Sequence, residues 1–202
     1  MKLRYSPTSP YVRKVMVVAL ETGLDGRLDK IETSVAPTKP NAEVAKVNPL
    51  MKVPALALDN GETLFDSPVI CEYLDSLHGG AKMFPASGPA RWTALRRQAL
   101  GDGILDAAIL TRYESIRPDA VKWPDWIDGQ MAKVRSALAD AEVDADKLGT
   151  TVDIGTITVG CALGYLDFRF ASENWRAKHP KLAKWYDGFA KRPSMASTAP
   201  KG

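Results

Sequence analysis

Two Ser-Pro pairs and one Val-Pro pair hold the residues of this chain best suited to chemistry. Ser9-Pro10 and Asp66-Ser67-Pro68 each precede an apolar helical pattern. Serine is a favoured N-cap and proline suits the first helical turn, so each pair reads first as a helix start. A helix start also welcomes anions, because its free N–H groups and its macrodipole point at the same spot. A hydroxyl placed there, as on Ser9, can donate to a sulfur anion, so one atom serves capping and catalysis in different states of ligation. At the second start, Ser67 and the helix N–H groups suit a carboxylate while Asp66 meets an ammonium, a pairing made for an amino-acid head group. Between them, Pro54 of Val53-Pro54 sits where a strand should begin. Proline donates no ladder bond, so it belongs on an edge or in a cis peptide that turns a neighbouring backbone group outward. Taken singly, each motif also has a plain structural reading as a capped helix or an edge proline.

The elements that must position these residues follow from periodicity. Lys2–Tyr5 and 28–33 read as strands, and 12–22 reads as an amphipathic helix with Val12, Val15, Met16 and Ala19 on one face, stopped by Gly23. Residues 41–47 form a short helical piece. Residues 53–58, the turn Asp59-Asn60-Gly61 and 63–65 spell a hairpin. A helix then opens at Ser67-Pro68, with Ile70, Tyr73, Leu74 and Leu77 sharing a face. The order is βαβαββα over residues 1–78. A Gly/Pro/Ser/Ala stretch at 79–88 reads as a linker. Residues 89–202 show only helical periods: 91–117 as one bent helix or two, 123–142, a strongly apolar and therefore central 157–170, and 180–191. The expected architecture is an α/β half followed by an all-α half.

Composition narrows the function classes. The chain has 202 residues, 45% hydrophobic and 25% charged, with a formal net charge of +3, which fits a globular protein with a real core. The positive charges are scattered, leaving no footprint for nucleic acid or an anionic membrane. No apolar run approaches the ~20 residues needed to span a bilayer, and the MKLRYSP start lacks a signal-peptide core. Cys71 and Cys161, far apart in apolar helical patterns, form neither a disulfide framework nor a metal site. A reducing cytoplasm is the expected home. His78 and His179 fall outside the three motifs and read as solvated or structural.

Singly weak, the three motifs gain force from their order. The sequence resembles a bacterial cytosolic glutathione S-transferase of the serine type. Tyr5-Ser6-Pro7-Thr8-Ser9-Pro10-Tyr11-Val12 resembles the start of such proteins, and Asn48-Pro49-Leu50-Met51-Lys52-Val53-Pro54-Ala55-Leu56 resembles the family's Asn-Pro-x-x-Lys-Val-Pro-x-Leu segment. Asp66-Ser67 resembles its (Glu/Asp)-Ser head-group site, and the helix through Gly160-Cys161-Ala162-Leu163-Gly164-Tyr165-Leu166-Asp167 fits as well. The resemblance spans nearly the whole chain. It implies a thioredoxin-like N-terminal domain, an all-helical C-terminal domain, a homodimer, and glutathione as co-substrate with no metal.

By the same resemblance Ser9 is the catalytic hydroxyl. Val53, before a proline that is cis in the family, offers its backbone to the cysteinyl part of glutathione, and Asp66 and Ser67 meet the γ-glutamyl end. Lys52 approaches the glycyl carboxylate, and Asp102 lies where some relatives send a carboxylate across the dimer interface. A second-substrate pocket for a small apolar electrophile is expected between the halves, with Tyr11, Ile109, Arg112, Tyr113 and Tyr165 as candidates. Two departures stand out. Met51 replaces the usual glycine, and the cap of the buried helix pairs Asp153 with Thr156 where Ser/Thr-x-x-Asp is common.

The implied mechanism balances. A thiol of pKa near ~8.5 is only a few per cent thiolate at pH 7. Lowering that value by about two units requires roughly 2.7 kcal/mol. A hydrogen bond to a charged group supplies about 1.5–3 kcal/mol and a helix N-terminus about 0.3–1, so no general base is needed. Three other readings stay open. A glutaredoxin-type oxidoreductase would need cysteines where Ser9-Pro10-Tyr11-Val12 stands, and dithiol exchange cannot run without them. A non-catalytic binding protein on the same fold would have no use for all three motifs. Peroxidase-like or isomerase-like use of the thiolate is not separated from conjugation by sequence.

Overall fold

A computed structural model describes residues 1–200, in which four strands and nine helices are described. The first strand, β1 (Lys2–Tyr5), runs into α1 (Pro10–Glu21), whose Val12, Val15, Val18 and Ala19 are buried. The stop after α1 is set by Gly23 at φ +70, a left-handed angle that glycine takes at little cost. Next come β2 (Asp29–Glu32) and α2 (Ala42–Ala45), a single turn held by the Asn41 side chain accepting from the Glu43 and Val44 N–H groups. The hairpin β3 (Ala55–Ala57) and β4 (Thr63–Leu64) turns through Gly61 at φ +89, and α3 (Ser67–Ser76) closes the βαβαββα order expected from the pattern.

The sheet order is β2-β1-β3-β4. β1 is parallel to β2 and antiparallel to β3, with Arg4 opposite Ala55, and β4 is antiparallel to β3, with Leu64 opposite Leu56. β1 and β4 therefore run the same way and β3 runs against them. The carboxyl ends of β1 and β4 and the amino end of β3 all lie at one edge. Both helices that follow, α1 and α3, start from that edge and pack on each other.

The remaining helices are α4 (Gly88–Ser115), α5 (Pro124–Asp144), α6 (Ile154–Arg169), α7 (Trp175–Lys178), α8 (Pro180–Phe189) and α9 (Pro193–Ser197). α4 is one continuous helix of 28 residues rather than two. α6 is buried from Ile154 through Leu166 and packs against α4. Two glycines let the backbones meet there: a Cβ on Gly155 would stand 2.6 Å from the Ala94 carbonyl, and one on Gly101 would stand 2.8 Å from Thr158 Cγ2. The start of α6 is a reciprocal capping box, Thr156 N–H to Asp153 at 2.8 Å and Asp153 N–H to the Thr156 hydroxyl at 3.0 Å. The exchanged pair caps the helix just as the common order does.

The chain divides into two compact units, one holding Met1–Ala86 and the segment from Pro193, the other Ser87–Arg192. This differs from the expected 1–78, 79–88 and 89–202 at both boundaries, for physical reasons. The stretch after α3 is tied down: the buried Asp75 carboxylate accepts from Met83 N–H at 2.8 Å and Phe84 N–H at 3.0 Å, and His78 bridges to it at 2.9 Å. His78 is thus structural. The last helix returns to α1, where the buried Arg13 donates to the Met195 carbonyl at 3.0 Å and the Ser194 hydroxyl bonds to Glu21. Among the described residues no helix is long and apolar enough to cross a membrane.

Candidate functional site

The sheet topology brings three of the sequence motifs to one edge. Ser9 follows the end of β1, Val53-Pro54 precedes β3, and Asp66-Ser67 follows β4. Ser9 is the N-cap of α1 at φ −79 and ψ 120, and its side chain accepts from Val12 N–H at 3.3 Å. That distance exceeds the usual range for such a bond. The cap uses a lone pair, so the hydroxyl proton of Ser9 stays available to a partner in front of the helix.

Residues before β3 form a loop organised by Asn48, a residue the sequence motif contained but did not mark out. Asn48 is 2% exposed. Its amide donates to the Lys52 carbonyl at 2.9 Å, its carbonyl oxygen accepts from Leu50 N–H at 3.0 Å, and its backbone carbonyl accepts from Met51 N–H at 2.9 Å. Within this clip Met51 takes φ +53, so the chain keeps a left-handed backbone at the position where glycine is usual and a methionine bears it. Lys52 is exposed. Val53 is buried, and the Val53-Pro54 peptide is cis. The β1–β3 ladder ends at Arg4 and Ala55, and among the described residues the Val53 N–H and C=O have no hydrogen-bond partner.

The start of α3 is built differently from that of α1. Asp66 is its N-cap, joined to Phe65 by a cis peptide, yet the Asp66 side chain makes no capping bond and lies exposed. Ser67 is 2% exposed, and among the described residues neither its hydroxyl nor its N–H has a partner. Pro68 brings no N–H, so the first turn presents the Ser67 and Val69 donors. The hydroxyl and N–H of this largely buried serine at a helix start, with an idle carboxylate one residue before them, suit a zwitterionic group.

The helical unit, taken by itself, gathers three of the other candidates. Tyr165 on α6 is 5% exposed, and burial pushes its hydroxyl pKa up against the pull of the Arg112 and Arg169 guanidiniums, with Tyr113 adding to the rise. Arg112 and Tyr113, near the end of α4, thus come close to Tyr165. Arg169 joins them and was missed by the sequence reading, although its place four residues after Tyr165 puts it on the same helical face. Ile109 is half-buried on α4, as is Asp102 about two turns earlier. Tyr11 lies half-buried in the first turn of α1.

Comparison with known proteins bears on the family and the fold. The family profile described as Glutathione S-transferase, N-terminal domain, matches residues 8–77, and that described as Glutathione S-transferase, C-terminal domain, matches residues 124–188. A GST-like protein of Escherichia coli K12, YibF, itself uncharacterized, is 36% identical over 203 residues, covering 99% of this chain and 98% of that protein. A glutathione transferase family member from Pseudomonas fluorescens Pf-5, solved with bound glutathione, is 47% identical with a TM-score of 0.97 over 100% of this chain and 99% of that one. The same family member solved with bound S-(propanoic acid)-glutathione gives a TM-score of 0.92 over the whole of both chains. A glutathione S-transferase from Methylobacillus flagellatus KT with glutathione bound is 39% identical, TM-score 0.89, over 99% of each chain. A thioredoxin-like mixed sheet with its helices, joined to a helical second unit, is the fold these proteins share, and this chain belongs to the glutathione S-transferase family.

Proposed function

We propose that the chain is a glutathione transferase in which the Ser9 hydroxyl holds the sulfur of glutathione as a thiolate for attack on a small electrophile. The observation that carries the reading is Ser67: a 2% exposed serine whose hydroxyl and N–H lack partners among the described residues, at a helix start beside an Asp66 carboxylate that caps nothing. Both groups are open to a ligand carboxylate, which accepts from a hydroxyl and an N–H at once. In this reading the γ-glutamyl carboxylate meets Ser67 and its ammonium meets Asp66. The unpaired Val53 N–H and C=O continue the β3 ladder onto the cysteinyl peptide unit, and Pro54 fixes the turn there. Lys52, exposed beside them, faces the glycyl carboxylate. With the tripeptide so anchored, its sulfur arrives at the start of α1, where the Ser9 proton and the helix dipole favour the anion.

The reaction is then nucleophilic. The thiolate forms a C–S bond to the electrophilic carbon and the electron pair of the broken bond leaves with the departing group. Tyr11, Ile109, Arg112, Tyr113 and Tyr165 are proposed for the second substrate. Relatives solved with glutathione and with a glutathione conjugate support glutathione as the ligand. A cytoplasmic homodimer, with Asp102 reaching the partner's ligand, and a role in detoxification complete the proposal. Calorimetric titration with glutathione, followed by a conjugation assay on the same sample, tests it. Binding at micromolar to millimolar concentration with turnover is expected, and no binding at millimolar glutathione would sink the reading.

A further inference from the structure

The helical unit holds two guanidiniums that face each other with no carboxylate of the described residues between them. α4 and α6 run parallel, because Gly155 lies against Ala94 and Arg97 while Thr158, further along α6, lies against Gly101, further along α4. Eleven residues make three helical turns to within about 20°. Arg112 stands eleven residues beyond Gly101, and Arg169 eleven beyond Thr158. Both therefore return to the facing sides of their helices at the same height, and Tyr165 stands one turn earlier on that face of α6.

The charges behave accordingly. Burial and the nearby Arg112 push the Arg169 pKa down. Among the described residues neither Arg112 nor Arg169 forms an ion pair, whereas Arg97, Arg135 and Arg176 each meet a carboxylate. Arg169 instead lies 3.8 Å over the Phe168 ring centre, which steadies its plane without neutralising it. Like charges held together repel unless an anion divides them, and guanidiniums match a carboxylate's two oxygens.

We propose that Arg112 and Arg169, with the Tyr165 hydroxyl, bind the carboxylate of the second substrate, so that the electrophile is an organic acid. This rests on the transferase reading above and sharpens its account of the second substrate. The site selects a negative charge on the second substrate and rejects the neutral analogue.

A matched pair of aryl chlorides tests it: 4-chloro-3-nitrobenzoate and 4-chloro-3-nitrobenzamide. In turnover the thiolate adds at C4, the C–S bond forms, the C–Cl bond breaks and chloride leaves with its electron pair. Affinity is read first by calorimetry without glutathione. The acid should bind roughly tenfold or more tightly than the amide, and raising salt should weaken the acid alone. Arg112→Met and Arg169→Met should each bring the ratio towards one, the acid losing more affinity than the amide with circular dichroism unchanged, while Arg169→Lys keeps most of it. Equal affinities in the wild type, no binding of the acid at millimolar concentration, or a ratio untouched by both methionine variants overturns the proposal. Acid-selective binding with glutathione bound but no conjugate formed keeps the anion site and removes the transferase reading, so the two failures are distinct.

Discussion

Replacing Ser9 by alanine removes one hydroxyl with two separable duties. As a cap, the side chain accepts from Val12 N–H at 3.3 Å, a long bond, so its loss costs about 0.5–1 kcal/mol and lowers Tm by roughly 2–3 °C in a chain of this size. As a donor to the thiolate it is worth about 1.5–3 kcal/mol, which is about 1–2 pKa units. If the wild type brings the thiol from about 8.5 to about 6.5, the variant titrates near about 7.5–8.5. The folded-bound pKa is depressed, so thiolate is present above it and lost as pH falls through it. At pH near about 6.5 half the wild-type sulfur is anionic against roughly 1–10% in the variant, so kcat/KM should fall roughly 5–50-fold there and converge towards wild type by about pH 9.5. The assay is conjugation across pH together with the ultraviolet absorbance of bound thiolate. Ser9→Thr, which keeps a hydroxyl and a cap, should restore the midpoint. An alanine variant whose pH midpoint stays with the wild type refutes the argument, because the cap alone cannot shift it.

Three further perturbations follow from the same geometry. Ser67→Ala removes a hydroxyl that has no partner among the described residues, so the unliganded protein should keep its stability within about 0.5 kcal/mol while glutathione Kd rises roughly tenfold; calorimetry and thermal denaturation read the two, and a large Tm loss with unchanged Kd contradicts it. Asn48→Ala breaks both side-chain bonds of a buried residue, at about 2–3 kcal/mol, for a Tm drop of roughly 5–10 °C and weaker glutathione binding; a drop under about 2 °C would show that the clip does not organise the loop. Met51→Gly relieves a left-handed backbone at φ +53 on a side chain already 37% exposed. Relief of about 1–2 kcal/mol exceeds the glycine entropy cost of about 0.5–1, so Tm should rise by about 2 °C, and a fall refutes the strain.

Much of this architecture was legible because short-range chemistry specifies it. The strand Lys2–Tyr5, the stop at Gly23, the turn at Asn60-Gly61 and the start at Ser67-Pro68 rest on residue types with narrow backbone preferences. The helical half was legible in number and order of its main helices, since Trp126, Met131, Val134 and Leu138 keep a helical period. Its ends were not: Pro193–Ser197 carries too few apolar residues for a pattern, and Arg13, 182 residues from Met195, and Glu21, 173 residues from Ser194, say where that segment goes. The stretch after α3 looked like a loose linker because glycine, proline, serine and alanine dominate it, and its two bonds to Asp75 are invisible to composition.

The sequence by itself determined which atoms could do chemistry: hydroxyls and a carboxylate at proline-marked helix starts, a Val-Pro before a strand, and no cysteine able to replace them. Only the tertiary structure decided that these atoms share an edge, because that follows from β1 and β4 running together with β3 reversed between them. It also decided that Ser67 has no partner among the described residues, that Asn48 governs the loop, and that Arg112 and Arg169 face each other across the α4–α6 seam. Residue type fixes what a group can bind, while strand direction, helix register and burial fix whether anything inside the protein binds it first.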